Sequence, residues 1–268
     1  MPLKDEILEQ PHTLQRLLGE GWPQISAISR ELKKRSFSYV FLAARGTSDN
    51  AGRYAQYLWG AFNQLPIALA TPSLFSLYHT PPRLEGALVV AISQSGRSPD
   101  ILSVAKEARR QGRPVVAITN AEQSPLSETA DFVINILAGK EEAVAATKSY
   151  TGELLAIALL SIALSGNSEQ LATLNRLPGW VSEMLEQRDE IEQLAQRYRF
   201  MEQCIVLGRG FNYATAFEWS LKLKETCYIA AEPYSSADFQ HGPMAIVEHG
   251  YPVMAVNPSG KVYHEMLD

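Results

Sequence analysis

Apolar and polar positions along the chain form a repeating order of short, β-branched or aromatic runs separated by longer amphipathic stretches. The runs are Phe37 to Ala43, Pro66 to Ala70, Leu88 to Ile92, Val115 to Ile118 and Phe132 to Leu137, and the spacers between them are mostly helical in pattern. That alternation predicts an α/β fold with a doubly wound, five-stranded parallel sheet and helices on both faces. Ahead of the first run, residues 4–35 read as one or two amphipathic helices rich in Leu, Gln and Arg, broken near Gly21 and Pro23.

The helix after the third run has agreeing local signals. Ser98 suits the N-cap, Pro99 the first turn, Asp100 the positive end of the dipole and Gly112 the C-terminal stop. Beyond the fifth run come two helical segments, roughly Tyr150 to Ser165 and Ser168 to Arg197, suited to connecting two domains. A second α/β unit then starts with a strand at Cys204 to Leu207, followed by Gly208, Arg209, Gly210 and a helix from about Ala214 to Tyr228. One more strand, Pro252 to Asn257, precedes an end that reads as the start of another helix. The expected organisation is a helical lead-in over residues 1–35, a first domain with its connecting helices over 36–198, and a second domain, incomplete at Asp268, over 199–268.

Composition narrows the functional classes. With 268 residues and 46% hydrophobic side chains, the chain can bury one large core or two smaller ones. Its 29 acidic against 24 basic residues give a net charge of -5, and no Lys/Arg run could track a nucleic acid or an anionic membrane. Only Cys204 and Cys227 occur, without disulfide-framework or zinc-ligand spacing, so no metal or cofactor is expected and a reducing cytoplasm fits. The N-terminus lacks a basic region followed by an apolar core, and the most apolar stretch, Leu154 to Leu164, is short enough for a core helix.

Candidate chemistry sits in the turns. In an open parallel sheet, ligands bind at the carboxyl ends of strands, where strand order reverses. Two hydroxyl-rich turns stand there: Ala44, Arg45, Gly46, Thr47 and Ser48 after the first run, and Ser93, Gln94, Ser95, Gly96, Arg97 and Ser98 after the third. A Gly-containing turn at a helix N-terminus supplies backbone N–H groups, hydroxyls and a favourable dipole to a phosphoryl group, without metal. Alternatively, Ser48 and Ser98 are simply N-caps and the glycines merely make turns. Neither turn is a Walker A loop or a GxGxxG fingerprint, which leaves a small phosphorylated ligand. In the second unit, Glu218, Lys222 and Glu225 share one helical face, as an active cluster or as a solvated ion pair. His241 is a candidate acid/base or a turn histidine bonded to its own backbone.

Five stretches together resemble one family. ARGTS (Ala44 to Ser48), SQSGRSPD (Ser93 to Asp100), VAATKSY (Val144 to Tyr150), EWSLKLKE (Glu218 to Glu225) and FQHGP (Phe239 to Pro243) are similar, in order and spacing, to the sugar isomerase (SIS) family, in particular the isomerase domain of glucosamine-6-phosphate synthase. The lead-in EILEQP (Glu6 to Pro11) extends the resemblance over essentially the whole chain. It implies two SIS subdomains, a homodimer and a phosphosugar ligand. Thr47, Ser48, Ser93, Gln94, Ser95 and Ser98 would hold the phosphate, and Val144 with Ala146 would line the sugar site. By the same resemblance Glu225 would move a proton between C1 and C2, His241 would open the sugar ring, and Lys222 would place a cation near the reacting carbons.

The departures shape the expected activity. The chain begins Met-Pro-Leu with no N-terminal cysteine nucleophile, so the expectation is an isomerase or deaminase linking glucosamine 6-phosphate to fructose 6-phosphate and free ammonia. Arg97 stands where the synthase has an acidic residue, and Arg45 replaces a small residue before Gly46. The family's C-terminal lysine has no counterpart before Asp268, so binding without turnover is also foreseen. The alternatives are a non-catalytic sugar-phosphate sensor and a fructosamine-phosphate deglycase.

Overall fold

The computed structural model describes residues 2–267. The lead-in is helical: α1 (Pro2–Leu8), α2 (Gln10–Arg16), a π-helical turn at Leu17–Gly21, then α3 (Trp22–Leu32). The break expected near Gly21 and Pro23 is the junction of that π turn with α3, where Pro23 occupies the first turn and needs no N–H partner. The next elements are β1 (Tyr39–Ala43), α4 (Thr47–Asn63), β2 (Ile67–Leu69), α5 (Ser73–Ser76), β3 (Ala87–Ile92), α6 (Pro99–Arg110), β4 (Val115–Thr119), α7 (Pro125–Thr129) and β5 (Phe132–Asn135). The five strands are parallel, as the apolar runs predicted, and lie in the order β2-β1-β3-β4-β5.

Each central strand is buried on both faces because helices cover both sides. Val40 and Leu42 of β1, with Leu88, Val90 and Ile92 of β3, join a core made with α3, α4 and the central helix α8 (Lys148–Ser165). Phe41 and Ala43, with Val89 and Ala91, point the other way, onto a core made with α5, α6 and α7. Helix α8 is apolar around most of its circumference, since it packs against α2, α3 and α4 as well as the sheet side. Among the described residues, no helix is long and apolar enough to cross a membrane.

The expected helix from Ser168 to Arg197 is instead several pieces. They are α9 (Ser168–Leu174), α10 (Leu177–Glu186), α11 (Arg188–Ala195) and a 3-10 turn at Gln196–Tyr198. Contacts divide the chain within α10, into one compact unit up to Glu183 and another from Met184.

In the second unit, β6 (Gln203–Gly208), α12 (Asn212–Cys227), β7 (Ala230–Ser235), α13 (Ser236–Phe239) and β8 (Val253–Ala255) build a parallel sheet in the order β7-β6-β8. Strand β7 has no counterpart among the sequence expectations. Its AAEPYS sequence lacks an apolar run and contains Pro233, which is tolerated because β7 is an edge paired only with β6. The helix expected near the end of the chain is a turn followed by a 3-10 segment, His264–Met266.

Trp59 ties the first unit together. It is fully buried on α4, and its indole Nε1 donates to the Ile157 carbonyl of α8 at 3.0 Å. Trp59→Ala is expected to cost about 3–5 kcal/mol in urea denaturation, through a cavity and a lost hydrogen bond. A loss under about 1 kcal/mol would contradict this packing.

Candidate active site

Strand order reverses between β1 and β3: the chain leaves β1 for β2 on one side and returns to β3 on the other. The turns after those two strands therefore lie side by side, and each opens a helix, α4 of 17 residues and α6 of 12. Between them is a cleft of about 170 Å³ walled by Arg45, Ser48, Ile92, Ser93, Gln94, Ser95, Ser98 and Ile101. It has room for a phosphate group in place of a few waters at about 30 Å³ each. Five of the six residues expected to hold phosphate line it. The sixth, Thr47, is the first residue of α4, directly ahead of Ser48.

Ser48 is not an N-cap. That position belongs to Gly46, with φ at 58°, and Ser48 lies inside the helix with its hydroxyl donating to Glu153 Oε1 at 2.8 Å. Glu153, 1% exposed on α8, thus aligns a hydroxyl at the cleft wall from beneath. Ser98 does hold the N-cap position of α6 in an extended conformation, but its side chain makes no capping bond.

The second turn is held by its carbonyls. Ser93, Gln94 and Gly96 accept from Gly96, Asn120 and Leu126, at 3.0 to 3.1 Å, and Gln94 also accepts from the Thr119 hydroxyl. Asn120, Thr119 and Leu126 are not cleft residues, so the Gln94 and Gly96 carbonyls are occupied away from the cleft. An anion at a helix N-terminus requires that arrangement. Gly96 makes the turn possible: its φ is +61°, and a Cβ there would sit 2.1 Å from Ser124 Oγ.

One cation reaches this cleft among its described walls. Arg45 donates through Nε and Nη2 to Asp100 Oδ2, at 3.1 and 2.7 Å, while Asp100 Oδ1 accepts from Ser76 at 2.6 Å. The Ser76 hydroxyl, and then Arg45, hold the Asp100 carboxyl below the ordinary aspartate range, so the clamp stays charged at neutral pH. Both partners are partly exposed, so the pair orients the guanidinium more than it stabilises the fold. A larger groove of about 450 Å³ lies along α5 and α6, with His79, Lys106 and Arg110 in its wall. There Glu107 pairs with Arg110 at 2.7 Å and offsets part of the positive charge.

In the second unit, Lys222 Nζ lies 3.2 Å from Glu218 Oε1 and 2.7 Å from Glu225 Oε2, so the predicted shared face is a real cluster. Helix α12 is fixed to β7 by the buried Ser220 hydroxyl, which donates to the Ala231 carbonyl at 2.6 Å. The Lys222 and Glu225 side chains are partly exposed, hence accessible to a ligand. His241 is exposed on the turn after α13, its backbone N–H donating to the Asp238 carbonyl at 3.1 Å. Val144, 98% exposed, and the half-buried Ala146 lie on the irregular segment between β5 and α8.

A family profile described as the SIS domain matches residues 35–163 and 201–264, which includes both turns, most of α8, all of α12 and His241. The chain belongs to the SIS domain family. It is 35% identical over 277 residues to a glutamine-fructose-6-phosphate aminotransferase (isomerizing) of Thermus thermophilus, covering 98% of this chain and 45% of that protein. The chain thus spans less than half the length of such curated relatives. Among solved structures, a Silicibacter pomeroyi protein described as a phosphosugar isomerase superposes with a TM-score of 0.92 at 35% identity, over 99% of this chain and 81% of that one. The C-terminal domain of glucosamine-fructose-6-phosphate aminotransferase from Francisella tularensis gives 0.89 at 29% identity, over 100% and 78%.

Two cleft features of this SIS protein escaped the sequence reading. Glu153 had a signal, as the one acidic residue inside the apolar helix Lys148–Ser165. The Asp100 clamp had none, because Arg45 and Asp100 are 55 residues apart and meet only through the strand order. Gly96→Ala is expected to weaken inorganic phosphate binding by at least about tenfold in calorimetry, through positive-φ strain and the Ser124 clash. Gly60→Ala on α4, with open space around it, serves as the control and should leave binding unchanged. Equal affinities in both variants would contradict the phosphate site.

Proposed function

We propose that this chain is a phosphosugar isomerase or deaminase that links glucosamine 6-phosphate to fructose 6-phosphate and ammonia. The observation that carries the reading is the hydroxyl-lined cleft between the N-termini of α4 and α6, with Arg45 clamped at its wall. Donors of this kind bind a phosphate monoester through backbone N–H groups, hydroxyls and helix dipoles. Thr47, Ser48, Ser93, Gln94, Ser95 and Ser98 take the phosphate in this reading, and Val144 with Ala146 flank the sugar.

The chemistry then needs a ring opener, a base and a cation. His241 protonates the ring oxygen as the anomeric hydroxyl loses its proton, which frees the C1 aldehyde. Glu225 removes the C2 proton and returns it to C1, while the Lys222 ammonium offsets the negative charge that develops on the enolate oxygen. The C1 oxygen gains a proton to become a hydroxyl as the C2 amine loses one to become an imine, and the imine takes up one water and releases ammonia, giving the 2-ketose. The Lys222–Glu225 contact supports a base held beside its cation. We place the reaction in the cytoplasm, since its substrates are charged phosphate esters that do not cross membranes and Cys204 and Cys227 are free thiols. A homodimer is the working unit we infer from the family.

Ammonia release from glucosamine 6-phosphate tests this reading. Glu225→Gln is expected to lower kcat by about 100-fold or more with little change in substrate Kd. A chain that binds the sugar phosphate tightly but releases no ammonia, with wild-type Glu225 present, would make it a sensor and contradict the catalytic reading.

A further inference from the structure

The segment between β5 and α8 has no ladder of its own, so each of its backbone groups must find a partner elsewhere. Asn120 holds the near end, its Oδ1 accepting from Ala138 N at 2.9 Å and its Nδ2 donating to the Gly139 carbonyl at 2.6 Å. Glu141 closes the far end. Its carboxylate accepts from the N–H groups of Thr147 and Ser149, at 2.9 and 3.1 Å, and from both hydroxyls. In doing so it caps α8, whose own N-cap residue, Thr147, makes no side-chain capping bond.

The middle of the segment is held from 136 residues away. Glu6 of α1 is 4% exposed, and its carboxylate accepts from the N–H groups of Glu142 and Ala143, the latter at 3.2 and 3.3 Å to its two oxygens. Close by, the buried Lys148 ammonium pairs with Glu9 of the same lead-in at 2.5 Å. A buried carboxylate spent on two loop amides is a strong fastening, since hydrogen bonds to charged groups exceed neutral ones. What it fastens is a loop apex with Val144 nearly fully exposed between the two anchors.

We propose that Glu6 and Glu141 are positioning residues that hold the Val144–Ala146 apex at the height where it meets the sugar, making the N-terminal helix part of sugar recognition. The proposal rests on the functional reading above. It separates two tasks on one unit: the turns of the cleft hold the phosphate, and the anchored apex reads the rest of the ligand. Neither carboxylate touches the reacting atoms. Each acts through the backbone it holds.

The test compares two ligands, glucosamine 6-phosphate and inorganic phosphate, on the whole chain and on Glu6→Gln and Glu141→Gln separately. Glu6→Gln turns an amide group against the Ala143 N–H, and Glu141→Gln exchanges charge-assisted hydrogen bonds from Thr147 and Ser149 for weaker neutral ones. The Kd for glucosamine 6-phosphate is expected to rise by about tenfold or more, while that for inorganic phosphate changes by less than about twofold. A role in stability alone lowers Tm without splitting the ligands in this way. Equal losses for both ligands, or none for either, overturn the proposal and leave the functional reading standing. A wild-type chain that binds inorganic phosphate but not glucosamine 6-phosphate defeats the functional reading, and this proposal with it. If neither variant folds, amide hydrogen exchange on the wild-type chain decides. Protection at Glu142 and Ala143 is expected to rise with glucosamine 6-phosphate and not with inorganic phosphate, and unchanged protection with both overturns the proposal.

Discussion

The reversal of strand order between β1 and β3 is the constraint on which the rest depends. It brings the N-termini of α4 and α6 to one cleft, and with them two sets of backbone N–H groups and the positive ends of two dipoles. In the proposed function a phosphate monoester is bound there largely by neutral donors, and the one cation among the described cleft walls, Arg45, is clamped to Asp100 and so already oriented. The buried Glu153 does the same for Ser48. Asp100 fixes the Arg45 donors, whereas Glu153 takes the Ser48 proton and fixes the orientation of that hydroxyl; in both cases the cost of ordering the side chain falls on folding.

The apolar core is arranged to keep those donors still. Helix α8 is buried along most of its length against α2, α3 and α4, so Glu153 on it cannot shift without disturbing the core. Gly96 lets the second turn approach Ser124 closely, a contact that any side chain would prevent. By contrast, the segment carrying Val144 and Ala146 is irregular, and it is steadied by side chains borrowed from α1, from Asn120 and from Glu141. If the proposed function holds, rigid turns for the phosphate and a fastened loop for the sugar suit a ligand whose two ends differ in chemistry.

Much of the first unit was legible because its strands are buried on both faces and therefore appear as unbroken apolar runs. The turns after β1 and β3 were legible because Gly and Ser at helix starts have a local physical meaning. Strand β7 was not, since an edge strand that pairs on one side only tolerates Pro233 and polar positions. Nor was the role of Ser48: a serine near a helix start reads as a cap, and only the fold reveals Glu153, 105 residues on, waiting beneath it. The role of Glu6 was hidden too, because a carboxylate that bonds backbone 136 residues away leaves no periodic trace. Local chemistry is written in sequence, whereas partnerships across the chain are written in topology.

The most direct test of this account is a crystal structure of the chain with glucosamine 6-phosphate bound. The account predicts phosphate density in the cleft between the Arg45–Ser48 and Ser93–Ser98 turns, within hydrogen-bond distance of their N–H groups and hydroxyls. Density instead in the wider groove lined by His79, Lys106 and Arg110, with the turns empty, would contradict it.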